Sequence, residues 1–237
     1  MSVYVLRGLG VVIIALVFIV TLIVNWPLSG VASLLEREGM RLEGVSGTLP
    51  DGVINHMSFQ ADSWPLALGP INWQLAWPPA VRLQVGQTPS DWQIIAKWRG
   101  QTSQWTIIGG DMAALDLSGL PFAIDARWEG GLTLVLDGKQ CVASEGALTT
   151  AHIALRSPTP ISLGQGRLHF DCSTTLPRVL IDLEDGDALD LTLSLALASP
   201  GEGRVQGSIA PSHPLAQWYQ LLKPDASGTR IDEPLRW

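Results

Sequence analysis

The feature that most restricts the fold is the run Ala188 to Ala198 (ALDLTLSLALA), in which leucine recurs at every second position. Side chains alternate across a strand, so Leu189, Leu191, Leu193, Leu195 and Leu197 share one face while Asp190, Thr192, Ser194 and Ala196 take the other. A strand with one apolar side needs that side covered by a second layer, by closure of the sheet or by a bound apolar ligand. The same reading puts Leu132, Leu134 and Leu136 on one face of a strand that ends at the Asp137-Gly138 turn.

From Met40 onward the chain continues in this manner. Short apolar or alternating runs are broken by Gly, Pro, Asp and Asn at intervals of roughly 8 to 15 residues, the pattern of an all-β chain. Strands are expected at Leu42 to Val45, Val53 to Ala61, Leu68 to Ala76, Val81 to Val85, Trp92 to Arg99, Gln104 to Gly109 and Leu120 to Trp128. Further strands are expected at Gly131 to Leu136, Cys141 to Leu155, Ile161 to Asp171, Val179 to Asp182, Leu189 to Ala198 and Arg204 to Ile209. The fold class that follows is mainly β: a curved antiparallel meander, in one layer or in two packed or folded-over layers, with few short helices. Pro211 to Leu222 is expected to be a short helix, and the tail from Lys223, rich in Pro, Gly and charge, to be loosely held.

Ahead of this body lies an apolar stretch, Leu9 to Val24, with no charged side chain between Arg7 and Glu36. Spanning a hydrocarbon core takes roughly 20 apolar residues, a length reached when the ends of this segment are counted. Trp26 then stands where an interfacial aromatic would, and Arg7 with the N-terminal amine puts the N-terminus on the cytoplasmic side. The competing reading is a signal peptide cleaved after Ala32, within Gly30-Val31-Ala32. The long apolar core favours a retained anchor. The expected organisation is a cytoplasmic stub and anchor over 1–26, an amphipathic connecting helix over 27–39, an exported β domain over 40–210, and the helix and tail over 211–237.

Charge and motif content exclude several classes. A net charge of -7 and a pI near 5.0 do not suit a polyanion-binding surface, which needs clustered Lys and Arg; no nucleic-acid partner is expected. Before Lys223 the chain has lysine only at Lys97 and Lys139. No nucleophile elbow, phosphate loop, metal-binding helix or dinucleotide fingerprint occurs. His56, His152, His169 and His213 are dispersed, and the nearest metal-like pair, His169 and Cys172, falls on opposite faces of a strand. Asp182, Glu184, Asp185 and Asp187 read as solvated charges near a turn. No catalytic residue, cofactor or metal is expected, and enzymatic activity is the weakest class. The ten tryptophans read chiefly as core and interface packing.

Cys141 and Cys172 are the two cysteines, both in the part expected to be exported. They read either as a disulfide or as two buried thiols. A bridge closing a loop of about 32 residues would stabilise the fold by about 3 to 4 kcal/mol.

Val45 to Gly52 (VSGTLPDG), followed by a strand and then by GPINWQLAWPPAVRLQVG, resembles the type II secretion system protein N family. Ser46, Gly47, Thr48 and Gly52 fit the small-residue, Gly, Thr motif with a following Gly. Ile71 to Pro78 (INWQLAWP) fits the Leu-x-Trp strand. LDGKQCVASEGALT keeps the turn, Cys and Gly pattern at Gly138, Cys141, Gly146 and Leu148, and Cys172 resembles the second Cys. The chain departs from the pattern at Leu49 or Pro50, and at Thr149 and Thr150, where the family carries Trp. The resemblance implies an accessory inner-membrane protein of the type II secretion machinery, a single-pass anchor with a periplasmic domain. Its partners would be other inner-membrane and periplasmic components of the secretion platform, met through protein contacts. The alternative is an AsmA-like module whose apolar sheet face handles lipid.

Overall fold

The computed structural model describes residues 18, 21–22, 25–28, 40–60, 65–77, 79–86, 92–114, 123–156, 159–197, 202–222 and 230–236. The strands are β1 (Met40–Gly47), β2 (Asp51–Gln60), β3 (Pro65–Leu68), β4 (Ile71–Ala76), β5 (Ala80–Val85), β6 (Trp92–Arg99), β7 (Thr102–Ile108) and β8 (Ile124–Ala126). They continue as β9 (Glu129–Asp137), β10 (Gln140–Leu155), β11 (Ile161–Asp171), β12 (Arg178–Asp185), β13 (Leu189–Ala196), β14 (Glu202–Ile209) and β15 (Arg230–Arg236). One α-helix, α1 (Pro214–Leu222), and a short 3-10 turn at Met112–Ala114 complete the described elements.

All fifteen of these strands belong to a single antiparallel sheet whose order follows the chain, with β3 and β8 off that path. Two long strands are interrupted. β3 and β4 both pair with β2 on the same side, broken at Gly69-Pro70, and β8 and β9 both pair with β10, broken at Arg127-Trp128. Opposite the second break, β10 changes register between Thr150 and Ile153. Such a bulge bends a strand, and it lets Trp128 turn inward, where a Cβ on Gly166 would lie 3.1 Å from Trp128 Cη2.

The cross-strand register assembles an apolar face. Leu83, Ile94, Ile107 and Leu132 are successive partners across β5 to β9. Leu148, Leu168, Ile181, Leu193 and Val205 repeat the arrangement across β10 to β14. Leu132 and Leu148 are fully buried, and burying one such side chain is worth roughly 1.5 to 3 kcal/mol. The sheet curls around this face: Leu68 on β3 and Ile181 on β12 line the same cavity. Those strands would lie roughly 33 Å apart in a flat sheet at about 4.8 Å per strand.

Helix α1 covers one portion of the concave side. Ala216 joins the core, with Leu215 and Tyr219 packed against it, beside Ile161, Leu189, Ile209 and Ile231. Its start is locally encoded: Pro214 is the first helical residue, and His213 ahead of it accepts the Leu215 amide on Nδ1 at 3.2 Å.

Several expectations are corrected here. The C-terminal tail was expected to be loose, yet Arg230–Arg236 forms β15 and pairs with β14, so the β body extends past 210. Ile231 is buried there and Arg204 pairs with Asp232 across the two strands. The alternative of two packed layers gives way to a single curled sheet. Of the expected strand Leu120 to Trp128, residues 120–122 lie outside the described residues, Ile124–Ala126 is a strand, and Trp128 is displaced into the core. Pro27, expected to open the connecting helix, instead bridges to Thr48. Residues 29–39 of that helix, and nearly all of the apolar stretch Leu9 to Val24, lie outside the described residues. Among the described residues no helix is long and apolar enough to cross a membrane.

Candidate functional site

The motif residues Ser46, Gly47, Thr48 and Gly52 form the closed end of the β1–β2 hairpin. Ser46 faces Val53 and Gly47 faces Gly52 across the ladder. Thr48 and Asp51 exchange backbone hydrogen bonds at 2.8 and 3.2 Å, leaving Leu49 and Pro50 at the tip. Gly47 has φ +94°, where a Cβ would meet the Asp51 carbonyl oxygen at 2.5 Å. No residue but glycine fits comfortably there.

Gly52 has a different task. A Cβ on it would fall 2.3 Å from Trp73 Cζ2 and 2.7 Å from Leu28 Cδ1. The indole of Trp73 therefore lies across Gly52, and its Nε1 donates to the Leu49 carbonyl at 3.0 Å. The Leu75 amide donates to the Pro50 carbonyl at 2.7 Å. Leu28, delivered by the Pro27 bridge to Thr48, is fully buried beneath. Two sequence elements separated by a whole strand thus make one junction, at the point where the chain arrives from its apolar N-terminal stretch. Leu28 was not singled out by sequence reasoning, because a lone leucine after proline has no local signature.

Cys141 and Cys172 are joined as a disulfide, with Cα atoms 5.3 Å apart. The bridge ties the start of β10 to the loop after β11, and the Cys141 amide donates to the Thr175 carbonyl at 3.0 Å. Beside it, the Asp171 carboxylate accepts from the Ser173 hydroxyl at 2.7 Å and from its amide at 2.8 Å. Those hydrogen bonds hold its pKa below the usual aspartate value. Gly138 makes the β9–β10 turn at φ +59°, and Gly146, at φ +82°, would bring a Cβ within 2.2 Å of the Gly131 carbonyl oxygen. Leu148 is buried, as the apolar face requires.

On the concave side lies a groove of about 430 Å³. Its walls, which include Leu68, Val85, Ile94, Ile107, Leu168 and Ile181, carry apolar or tryptophan side chains. The Trp92 indole nitrogen is satisfied by the Asp111 carbonyl at 3.0 Å. Burial falls along β13: Leu189 and Leu191 are buried, Leu193 and Leu195 partly so, and Leu197, just past its end, is 49% exposed.

The acidic group expected to be solvated splits between strand and turn. Asp182 accepts from the Thr192 hydroxyl at 2.9 Å, while Asp185 and Asp187 flank the β12–β13 turn. Among the described residues no three His, Cys, Asp or Glu side chains converge as metal ligands.

What fold and site define is an open antiparallel sheet curled about an apolar groove, stapled by one disulfide and joined at one corner to the N-terminal stretch. Compared with family models, with curated proteins and with solved structures, the chain gives no match.

Proposed function

We propose that the protein is an accessory inner-membrane component of a type II secretion system, of the protein N kind, acting through protein contacts of its β domain. The observation that supports this reading is the junction of Trp73 with Gly52 and Leu49. The two segments that carry the resemblance, far apart in sequence, meet there in one packed unit. Contacts suited to such a role are at hand in the exposed side chains of Arg41 and Glu43 on β1. The edge strand β15 carries Pro234 and several charges, a composition that discourages pairing with another strand.

The test is in-cell photocrosslinking from positions 41 and 43 on β1 at native expression, combined with a secretion assay of a deletion strain. Recovery of a secretion-platform component and loss of secretion are the expected results. Recovery of none, with secretion intact, overturns the reading.

A second reading, binding of an acyl chain, is favoured by the wholly apolar wall of the groove, since small-molecule sites are concave and mostly apolar. Native mass spectrometry of the purified protein tests it. Co-purifying phospholipid that is lost in the groove variant Ile181→Asp supports the reading, and a folded, lipid-free wild type eliminates it.

A further inference from the structure

The hairpin turns of a meander alternate between the two ends of the sheet, so every second turn lies on one rim. That rim holds Thr48–Asp51, the β4–β5 turn after Ala76, the Gly100-Gln101 turn, the Gly138-Lys139 turn, the Cys172–Pro177 loop and the end of β13. Backbone hydrogen bonds knit neighbouring turns together: the Trp98 amide donates to Pro79, Gly138 to Gln101, Cys141 to Thr175 and Leu197 to Pro177.

This rim is apolar where a soluble surface would be polar. Trp77 is 92% exposed, and Trp26, Leu49, Val142, Leu176 and Leu197 are also exposed along it. The opposite rim carries Asp111, Asp185 and Asp187 at its turns, with Ile108 and the outer side of α1 as its exposed apolar groups. Both lysines that precede Lys223, Lys97 and Lys139, stand on the apolar rim, together with Arg99 and Arg178; Asp51, Asp137 and Asp171 share it.

The rim is also tethered. Pro27 bridges to Thr48, and Val24, the last residue of the apolar stretch, is three residues upstream, a reach of at most about 11 Å. Exposed apolar side chains continue along the rim to Leu197 at the end of β13, ten strands along the sheet order from β1. A contact confined to the tether would leave those distant residues unexplained.

We propose that this entire rim rests on the surface of an anionic phospholipid bilayer, the tryptophans and leucines at headgroup level and Lys97 and Lys139 on lipid phosphates. Exposed tryptophan and snorkelling lysine are the side chains that an interface of this kind accommodates. The strands then stand upright, and the Asp185–Asp187 turn points away from the membrane. The proposal rests on the reading of the N-terminal stretch as a membrane anchor.

The experiment uses the full chain in nanodiscs of phosphatidylethanolamine and phosphatidylglycerol. A fluorophore is attached in turn through Trp77→Cys, Leu197→Cys, Asp187→Cys and Phe18→Cys, the native cysteines being held as a disulfide. Quenching by lipids spin-labelled near the headgroup is expected to remove about half of the fluorescence at positions 77 and 197, as for groups at the interface, and little at 187. Phe18→Cys reports the anchor separately. Quenching at 18, from lipids spin-labelled deep in the chain, with none at 77 and 197, leaves the anchor standing, gives the rim to solvent or a protein partner, and overturns the proposal. Quenching at 77 but not at 197 overturns the upright orientation and with it the claim for the whole rim. No quenching at 18 overturns the anchor reading and the proposal together.

Discussion

Trp73 lies across Gly52, its indole nitrogen 3.0 Å from the Leu49 carbonyl oxygen, in a space that a single methyl group on Gly52 would occupy at 2.3 Å from the ring. The glycine is thus required by its neighbour, since its own φ is not in the left-handed region. Gly52→Ala is expected to destabilise the domain by about 1 to 3 kcal/mol through overpacking. Trp73→Phe, which keeps most of the ring but loses the donor, should cost about 0.5 to 1.5 kcal/mol. Urea denaturation of each variant measures both. If Gly52→Ala and Trp73→Ala are combined, the methyl no longer meets a ring, and the pair should be less destabilised than the sum of the single changes.

The disulfide should contribute through the unfolded chain. Cys141 and Cys172 are 31 residues apart in sequence, so replacing both with serine is expected to lower stability by about 3 to 4 kcal/mol. Alkylation of the unreduced, denatured protein should label neither cysteine. Labelling of both, or a double variant as stable as the wild type, would contradict this account.

Strand positions were legible where the stop signals are local. Trp92–Arg99 is bounded by Asp91 and Gly100, and Ile161–Asp171 begins just after Pro160; in both, structure and sequence agree on the limits. β15 was missed because Arg230–Arg236 contains Pro234 and four charged residues, a composition that reads as loop. It becomes a strand through its main-chain ladder with β14 and the burial of Ile231. The candidate site divides in the same way. Gly47 could be suspected from its place in a turn, but the reason for Gly52 is a ring supplied by another strand. The curvature that makes the groove follows from the register change in β10 opposite Trp128, and no single stretch of sequence records it.

His213 is a buried histidine whose two nitrogens are both in use. Nδ1 accepts from the Leu215 amide at 3.2 Å, so the Nε2 position carries the proton and donates to the Ser162 carbonyl at 3.1 Å. One side chain thereby caps α1 and fastens it to β11. His213→Ala should destabilise the protein by about 1 to 2 kcal/mol, the range for loss of a helix cap. Amide exchange should rise first in α1 and next at Leu189 and Leu191, which share a core cluster with Ala216 of the helix. His213→Asn retains an acceptor for the cap but is too short to keep the Ser162 contact, so its loss should be intermediate.

Acid should loosen the sheet at two specified places. Asp232 is held below the usual aspartate pKa chiefly by its hydrogen bonds from Arg204, at 2.5 and 2.9 Å, and Asp171 by its hydrogen bonds from Ser173. In each case the folded pKa lies below the unfolded one. The stabilisation is therefore present above the ordinary carboxylate range and is lost as pH falls through the folded value. Both groups are solvent-exposed, so screening keeps each contribution small, and the prediction concerns location and direction. Between about pH 6 and about pH 2, β15 should exchange its amides faster before the rest of the sheet, because Arg204–Asp232 ties the edge strand to β14. Asp232→Asn should show that faster exchange of β15 already at neutral pH and remove its dependence on acid, while leaving the loop at Asp171 unchanged. Uniform exchange across β13, β14 and β15 in the wild type at low pH would show that the edge strand is not released separately.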